Sequence, residues 1–343
     1  MKIVLISDAW EPQVNGVVRT LRTVVEELRA AGDQVTVLHP GLFKTWPCPT
    51  YPEIRLAPLA RRSLARMVEE VSPDAVHIAT EGPLGMAGRA LCLRRDWPFT
   101  TAFHTRFPEY VHARFRVSTG LTYRAMRWFH RPSTRVMVAT PSLQEELTSR
   151  GFDNAALWSR GVDTELFRPQ PGASALLDLP RPIHAFVGRV AVEKNLSAFL
   201  ELDLPGTKLV VGDGPQRREL ELKHPDAVFV GARHGQDLAR HYAAADVFVF
   251  PSRTDTYGLV LLEALASGVP CAAFPVPGPI DVLDATVGVM DENLEHAVVA
   301  ALELSPQACR AYALERTWAH CAELFKSHLA PLEGKVSTQV DAA

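Results

Sequence analysis

Residues 251–270, PSRTDTYGLVLLEALASGVP, carry the strongest chemical signal in the chain: Asp255 and Glu263 stand eight apart with Gly258 between them. A helix starting near Tyr257 sets Asp255 on the loop at its mouth and Glu263 about two turns inside. Two carboxylates at different depths suit the hydroxyls of a sugar and a ribose. Backbone N–H groups near Gly258 and Leu259 would meet a phosphate, because a helix N-terminus holds unpaired donors and partial positive charge. The bland alternative, an acidic cap plus a solvated helical Glu, is weakened by the apolar run LVLLEALA around Glu263. An unpartnered carboxylate there would be costly.

Weaker signals point the same way. GRVAVEKN follows an expected strand and puts Arg189, next to Gly188, and Lys194 five residues apart across a strand-to-helix turn. Two such cations can converge on a diphosphate, the guanidinium as a planar fork and the ammonium as a point charge; two solvated surface cations explain the pair as well. GDGP follows the next strand, where Gly212 and Gly214 permit close backbone approach or simply make a turn. After the first strand, Asn15-Gly16 opens a helix and offers an anion site, although a single glycine does not make a G-x-G-x-x-G fingerprint. His104 closes an expected strand and could meet substrate hydroxyls or a leaving phosphate; a lone histidine is more often structural. Residues 110–144 lack Asp and Glu and hold six arginines with interleaved aromatics. There Arg114, Arg116, Arg124, Arg127, Trp128 and Arg131 read as a surface for anionic headgroups or as a solvated helix face.

These residues need positioning elements, and the chain supplies them twice. Short β-branched runs alternate with helical patterns, the mark of parallel α/β units. Strands are expected at 2–7, 34–38, 53–57, 74–79, 98–103 and 134–139, with helices such as 17–30. The Gly/Pro-rich stretch 158–172 reads as a linker. A second series follows, with strands at 183–188, 207–211, 226–230, 246–250 and 270–274. Its helices are expected at 195–202, 215–223, 236–244, 257–267 and 291–303, and a last helical stretch at 306–329. Two open, doubly wound sheets, each binding ligand at the carboxyl ends of its strands, would form one interdomain cleft. The expected domains are 1–160, joined by the helix 308–330, and 161–307.

A length of 343 residues fits two domains, and 47% hydrophobic against 22% charged residues excludes disorder and collagen. The net charge of −3 hides an asymmetry: residues 1–160 hold 21 Lys and Arg against 15 Asp and Glu, and the rest 15 against 24. With a basic first half and an acidic second half, only one half is expected to meet an anionic partner. Five scattered cysteines without a C-x-x-C pair argue against a disulfide framework or zinc site and fit a reducing cytosol. The opening MKIVLIS is too short for a signal peptide's apolar region, no segment approaches a membrane span, and the pI argues against nucleic acid as a partner.

In order, KIVLISDAWEPQVNGVVRTL, GVDTELFRP, GRVAVEKN, VVGDGP, YAAADVFVFPS and the 251–270 block resemble the retaining glycosyltransferases of family 4 nearly end to end. The similarity is greatest to bacterial GDP-mannose-dependent α-mannosyltransferases and to related lipid glycosyltransferases acting on diacylglycerol. The resemblance implies a GT-B fold, α/β, with two Rossmann-like doubly wound domains facing across an interdomain cleft. It implies that Asn15 and Gly16 lie beside the donor diphosphate and that Arg189 and Lys194 neutralise it as it leaves. Glu263 would bind the ribose, Asp255 through Leu259 the donor sugar, and His104 the sugar near the reacting centre. The family usually has Glu where Asp255 stands, one methylene longer. The co-substrate would be a GDP- or UDP-sugar, with no cofactor and no obligate metal, and the acceptor a lipid or glycan. The expected setting is cytoplasmic, peripheral on the inner face of the plasma membrane, with no protein partner. Two other readings stay open: a non-hydrolysing sugar-nucleotide epimerase, which needs no acceptor, and a non-catalytic nucleotide-sugar-binding module.

Overall fold

Among the described residues, the strands form two all-parallel sheets of six strands and one two-stranded antiparallel sheet. The computed structural model describes residues 1–13, 15–48, 51–104, 116–172, 178–255 and 257–332. The chain divides into two units, Met1–Ser159 with the chain from Ala319 onward, and Arg160–Trp318.

In the first unit the strands are β1 (Lys2–Ile6), β2 (Gln34–Leu38), β3 (Trp46–Cys48), β4 (Tyr51–Leu56), β5 (Ala75–Ile78), β6 (Thr100–Phe103), β7 (Arg135–Val138) and β8 (Ala155–Leu157). The sheet order is β2-β1-β5-β6-β7-β8, so the direction of winding reverses between β1 and β5. Ile3 through Ile6 of β1 are all fully buried, as expected of a strand covered on both faces. The helix Gly16–Ala30 turns Val18, Leu21, Val24, Val25 and Leu28 inward, and Asn15 Oδ1 caps it by accepting from the Val18 amide at 3.0 Å. The expected strand at 53–57 is real but lies outside the parallel sheet, because β4 pairs antiparallel with β3. A segment reading Tyr-Pro-Glu-Ile-Arg-Leu lacks the apolar run that a doubly covered strand requires.

The second unit contains β9 (Ile183–Val187), β10 (Thr207–Val211), β11 (Val228–Gly231), β12 (Val247–Phe250), β13 (Cys271–Ala273) and β14 (Gly288–Met290), in the order β11-β10-β9-β12-β13-β14. The reversal here lies between β9 and β12. Alternation along β9 feeds two cores: Ile183, Ala185 and Val187 join one apolar cluster, Phe186 the other.

The chain passes from the first unit to the second between Ser159 and Arg160, inside the expected linker 158–172. That segment also feeds both cores: Trp158 is fully buried in the first unit, while Val162 and Phe167 belong to a core of the second. One boundary expectation is corrected. The expected helix 308–330 is two helices, Pro306–Leu314 and Trp318–His328. Cys309 and Ala313 of the former pack into the second unit's core. In the latter, Cys321 O accepts from the Trp158 indole at 3.1 Å, and Phe325 packs on that ring in the first unit. The first unit therefore gains only the last helix, and the second extends to Trp318 rather than 307. Among the described residues, no helix is long and apolar enough to cross a membrane.

Candidate active site

The loops that leave β9 and β12, the strands at the second unit's reversal point, are tied together by polar contacts. After β9 the chain runs through Gly188 and Arg189 into the short 3-10 turn Val192–Lys194. Lys194 Nζ donates to both oxygens of Asp255, at 2.6 and 2.8 Å. Asn195 Nδ2 donates to Pro251 O at 3.1 Å, and the Ser252 and Thr254 hydroxyls each donate to Glu193 O at 3.3 Å. Arg189 is exposed on the same turn, with no carboxylate partner among the described residues. The third loop belongs to β10. A Cβ on Gly212 would lie 1.8 Å from Gly188 O, and one on Gly214 2.3 Å from Val190 O, so these glycines let the β9 and β10 loops touch backbone to backbone.

The helix after β12 starts at Leu259, two residues later than expected from the sequence, because Gly258 takes the left-handed conformation (φ 80°) at its cap. Leu259 is its first residue, and Tyr257, half-buried just before it, donates to Arg160 O at 3.4 Å. Gly258 carries no side chain to cap the helix, so the mouth keeps amide donors toward the loop. Asp255 stands at this mouth as expected, held by Lys194. Glu263 lies inside, as the apolar run around it requires: it is 2% exposed, and its Oε2 accepts from the Tyr242 hydroxyl at 2.8 Å. Inside an apolar run the carboxylate takes the buried hydroxyl that burial demands.

In the first unit, Gly16 begins its helix exposed, and a Cβ there would meet nothing within 4 Å. His104 follows β6, half-buried, its ring edge-on to Trp158 with centroids 5.7 Å apart. Two acids passed over in the sequence stand at the carboxyl ends of β1 and β5. Asp8 accepts from the Leu84 and Gly85 amides at 2.9 and 3.2 Å and from the Thr80 hydroxyl at 3.0 Å. Burial pushes its carboxyl above the usual range against those bonds, and the charge of Glu81 adds to the rise. Glu81 itself pairs with the buried His130. The available signal was an acid directly after a strand, in SD and in ATEG, but each acts through partners far along the chain. Among the described residues, no three His, Cys, Asp or Glu side chains gather as a metal site.

The expected acceptor surface is partly described. Arg114 lies outside the described residues. Helix Thr119–His130 buries Tyr123, Met126, Phe129 and His130 and turns Leu121, Arg124 and Trp128 outward, with Arg116 and Arg131 exposed at its ends. Leu121 is 58% and Trp128 54% exposed. The Arg89 guanidinium lies 4.1 Å over the Trp128 ring, and Arg127 donates to Arg150 O.

Comparison with known proteins agrees with this architecture. Residues 14–166 match the Glycosyltransferase Family 4 model, and residues 181–304 match the Glycosyl transferases group 1 model. A GDP-mannose-dependent alpha-mannosyltransferase of Mycobacterium tuberculosis is 30% identical over 99% of each chain. An alpha-monoglucosyldiacylglycerol synthase of Streptococcus pneumoniae is 25% identical over 95% of this chain and 83% of its own. Among solved structures, Anabaena HepE in complex with UDP superposes with a TM-score of 0.71 at 16% identity, covering 95% of this chain and 99% of that one. Sequence likeness along nearly the whole length, on the same pair of parallel-sheet domains, decides the matter: the chain belongs to glycosyltransferase family 4 and is a nucleotide-sugar-dependent glycosyltransferase.

Proposed function

We propose that the protein transfers mannose from GDP-mannose to a hydroxyl of a membrane lipid or glycolipid with retention of anomeric configuration. UDP-glucose and UDP-glucuronate are the next donors in order. The observation that carries this reading is the pair of cations on the β9 turn at the strand-order reversal, Arg189 exposed without a carboxylate partner among the described residues and Lys194 held by Asp255. A diphosphate leaving group builds negative charge as its bond to the sugar breaks, and fixed cations at that point lower the barrier.

In the proposed reaction the bond from the anomeric carbon to the diphosphate oxygen breaks with its electron pair on the oxygen. The acceptor oxygen forms its bond on the same face, and its proton passes to the departing diphosphate. Arg189 supplies a planar fork to that group. Lys194 commits two donors to Asp255 and keeps a third for phosphate. Amides at the Gly258–Leu259 mouth add to the stabilisation. The names of the relatives support the donor and the lipid acceptor: one uses GDP-mannose, another makes a glucosyl-diacylglycerol. Outward Leu121 and Trp128 among arginines suit an anionic bilayer surface, where apolar side chains insert and cations meet headgroups.

The test offers GDP-mannose, UDP-glucose and UDP-glucuronate separately to the protein with phosphatidylglycerol vesicles carrying diacylglycerol or monohexosyl-diacylglycerol. The expected result is an α-linked mannolipid from GDP-mannose. Raising salt to about 1 M, or the changes Leu121→Glu and Trp128→Glu, should lower vesicle-bound protein several-fold by screening or by loss of insertion. Product from another donor alone would replace mannose in this reading. Transfer to soluble sugars with none to lipid would remove the lipid acceptor.

A further inference from the structure

The first unit has its own strand-order reversal, between β1 and β5, and the loops leaving these strands are fixed by a set of contacts centred on Asp8. Besides the three bonds its carboxylate accepts, the Asp8 amide donates to the Thr80 hydroxyl at 2.7 Å, and the Ala79 amide to Ile6 O at 2.8 Å. The space is full: a Cβ on Gly82 would lie 2.4 Å from Asp8 Cγ, and one on Gly85 1.8 Å from Thr80 O. Residues 79–85 are thus held rigidly across from β1, and Glu81 is carried on them.

The Glu81 side chain is oriented from beneath. Its Oε1 lies 3.1 Å from Nε2 of His130, which is completely buried. His130 Nδ1 lies 2.8 Å from the Thr101 hydroxyl; Thr101 donates to Ser133 Oγ at 3.1 Å, and Ser133 donates to His130 O at 2.8 Å. A buried polar chain of this kind specifies orientation when each member is satisfied. Here it ends on one oxygen of a carboxylate that stays 27% exposed. The other oxygen, Oε2, has no partner among the described residues. The chain thus fixes the plane of the carboxylate from its buried side and leaves the other side open.

A carboxylate repels a diphosphate and accepts hydrogen bonds from hydroxyls. Asp8 cannot serve, since the loop's amides and Thr80 occupy it. We propose that Glu81 binds the acceptor, its Oε2 accepting from a hydroxyl of the acceptor's polyol head while His130 acts as the positioning residue that fixes the carboxylate plane. This inference rests on the glycosyltransferase reading. It assigns no proton transfer to Glu81, because the acceptor's proton goes to the diphosphate.

The test uses the full chain, GDP-mannose, and phosphatidylglycerol vesicles containing monohexosyl-diacylglycerol. Glu81→Gln keeps the shape but weakens the bond to a hydroxyl. It should lower kcat/KM for the acceptor by about 10²-fold, mainly through a higher acceptor KM, because a site built around a hydroxyl discriminates strongly through that bond. Donor KM and the rise in melting temperature caused by GDP should match wild type. Glu81→Asp, which restores the charge at shorter reach, should recover part of the loss. Wild-type acceptor kinetics in Glu81→Gln would overturn the proposal. So would a fall in melting temperature with equal loss of GDP binding in both variants, which marks a structural role. Failure of the transferase reading looks different: wild type itself then yields no product from any donor.

Discussion

At the scale of single residues, Gly16 separates what the fold needs from what a ligand needs. It has no positive φ, and a Cβ added to it would touch nothing. Gly212 and Gly214, by contrast, are explained by close backbone. Glycine at a helix start costs conformational entropy that alanine would not. Gly16→Ala should therefore leave the melting temperature unchanged or slightly higher. If a donor diphosphate approaches this turn, kcat/KM for donor should fall at least about tenfold, since a displaced reacting group loses its alignment. Steady-state kinetics beside a thermal melt decide it: full activity in the variant would remove Gly16 from the donor site.

At the scale of elements, β5 carries a buried histidine that gives acid sensitivity to the first unit. His77 bonds Thr100 Oγ1 at 2.9 Å and lies under the rings of Phe325 and Trp158, and burial pushes it down to about 3. The folded protein thus keeps His77 neutral, whereas the unfolded chain binds a proton below about pH 6.5. The unfolded state binds more protons between these values, so stability falls as pH drops through that window. From pH 7 to pH 5 this amounts to about 2 kcal/mol. Urea unfolding of the variant His77→Asn should show a pH dependence shallower by that amount; an unchanged slope would contradict the assignment.

The same scale shows what the residues disclosed. Strands such as 183–188 and 246–250 were legible because long apolar β-branched runs have few other uses. Of the three-residue strands, β13 was expected from its apolar stretch, whereas β3, β8 and β14 were not. Trp158 and Phe167 sat in a Gly- and Pro-rich stretch whose composition masked their burial. The helix after residue 306 read as continuous because Glu315, Arg316 and Thr317 do not interrupt an amphipathic pattern, although the chain turns there. Candidate site residues were legible where a motif abuts a strand end, as with Arg189, Lys194 and Asp255. Their pairing was not: Lys194 and Asp255 meet across 61 positions, and Asp8 meets the Leu84 amide across 76. The Tyr242 partner of Glu263 was equally hidden, since it lies on another helix.

At the scale of the whole molecule, both domains follow one rule: chemistry gathers at the carboxyl ends of the two strands where winding reverses. The rule places Asp8 and Glu81 at β1 and β5, and Arg189, Lys194 and Asp255 at β9 and β12. Charge follows a different logic. Residues 1–160 carry a balance of +6 and the rest −9, yet the two cations assigned to the diphosphate belong to the acidic part. On the proposed function, donor affinity comes from local contacts and not from the domain's overall field, and attraction to a bilayer draws on the basic first domain.

The most direct test of the central claim is calorimetric titration of wild type, Arg189→Ala and Lys194→Ala with GDP and with GMP, UDP and UMP being run in parallel. If the β9 turn holds the diphosphate, wild type binds GDP at least about tenfold more tightly than GMP, and each variant brings GDP to the affinity of GMP while leaving GMP unchanged. Variants that bind GDP as wild type does, or that lose both nucleotides equally, would contradict the account.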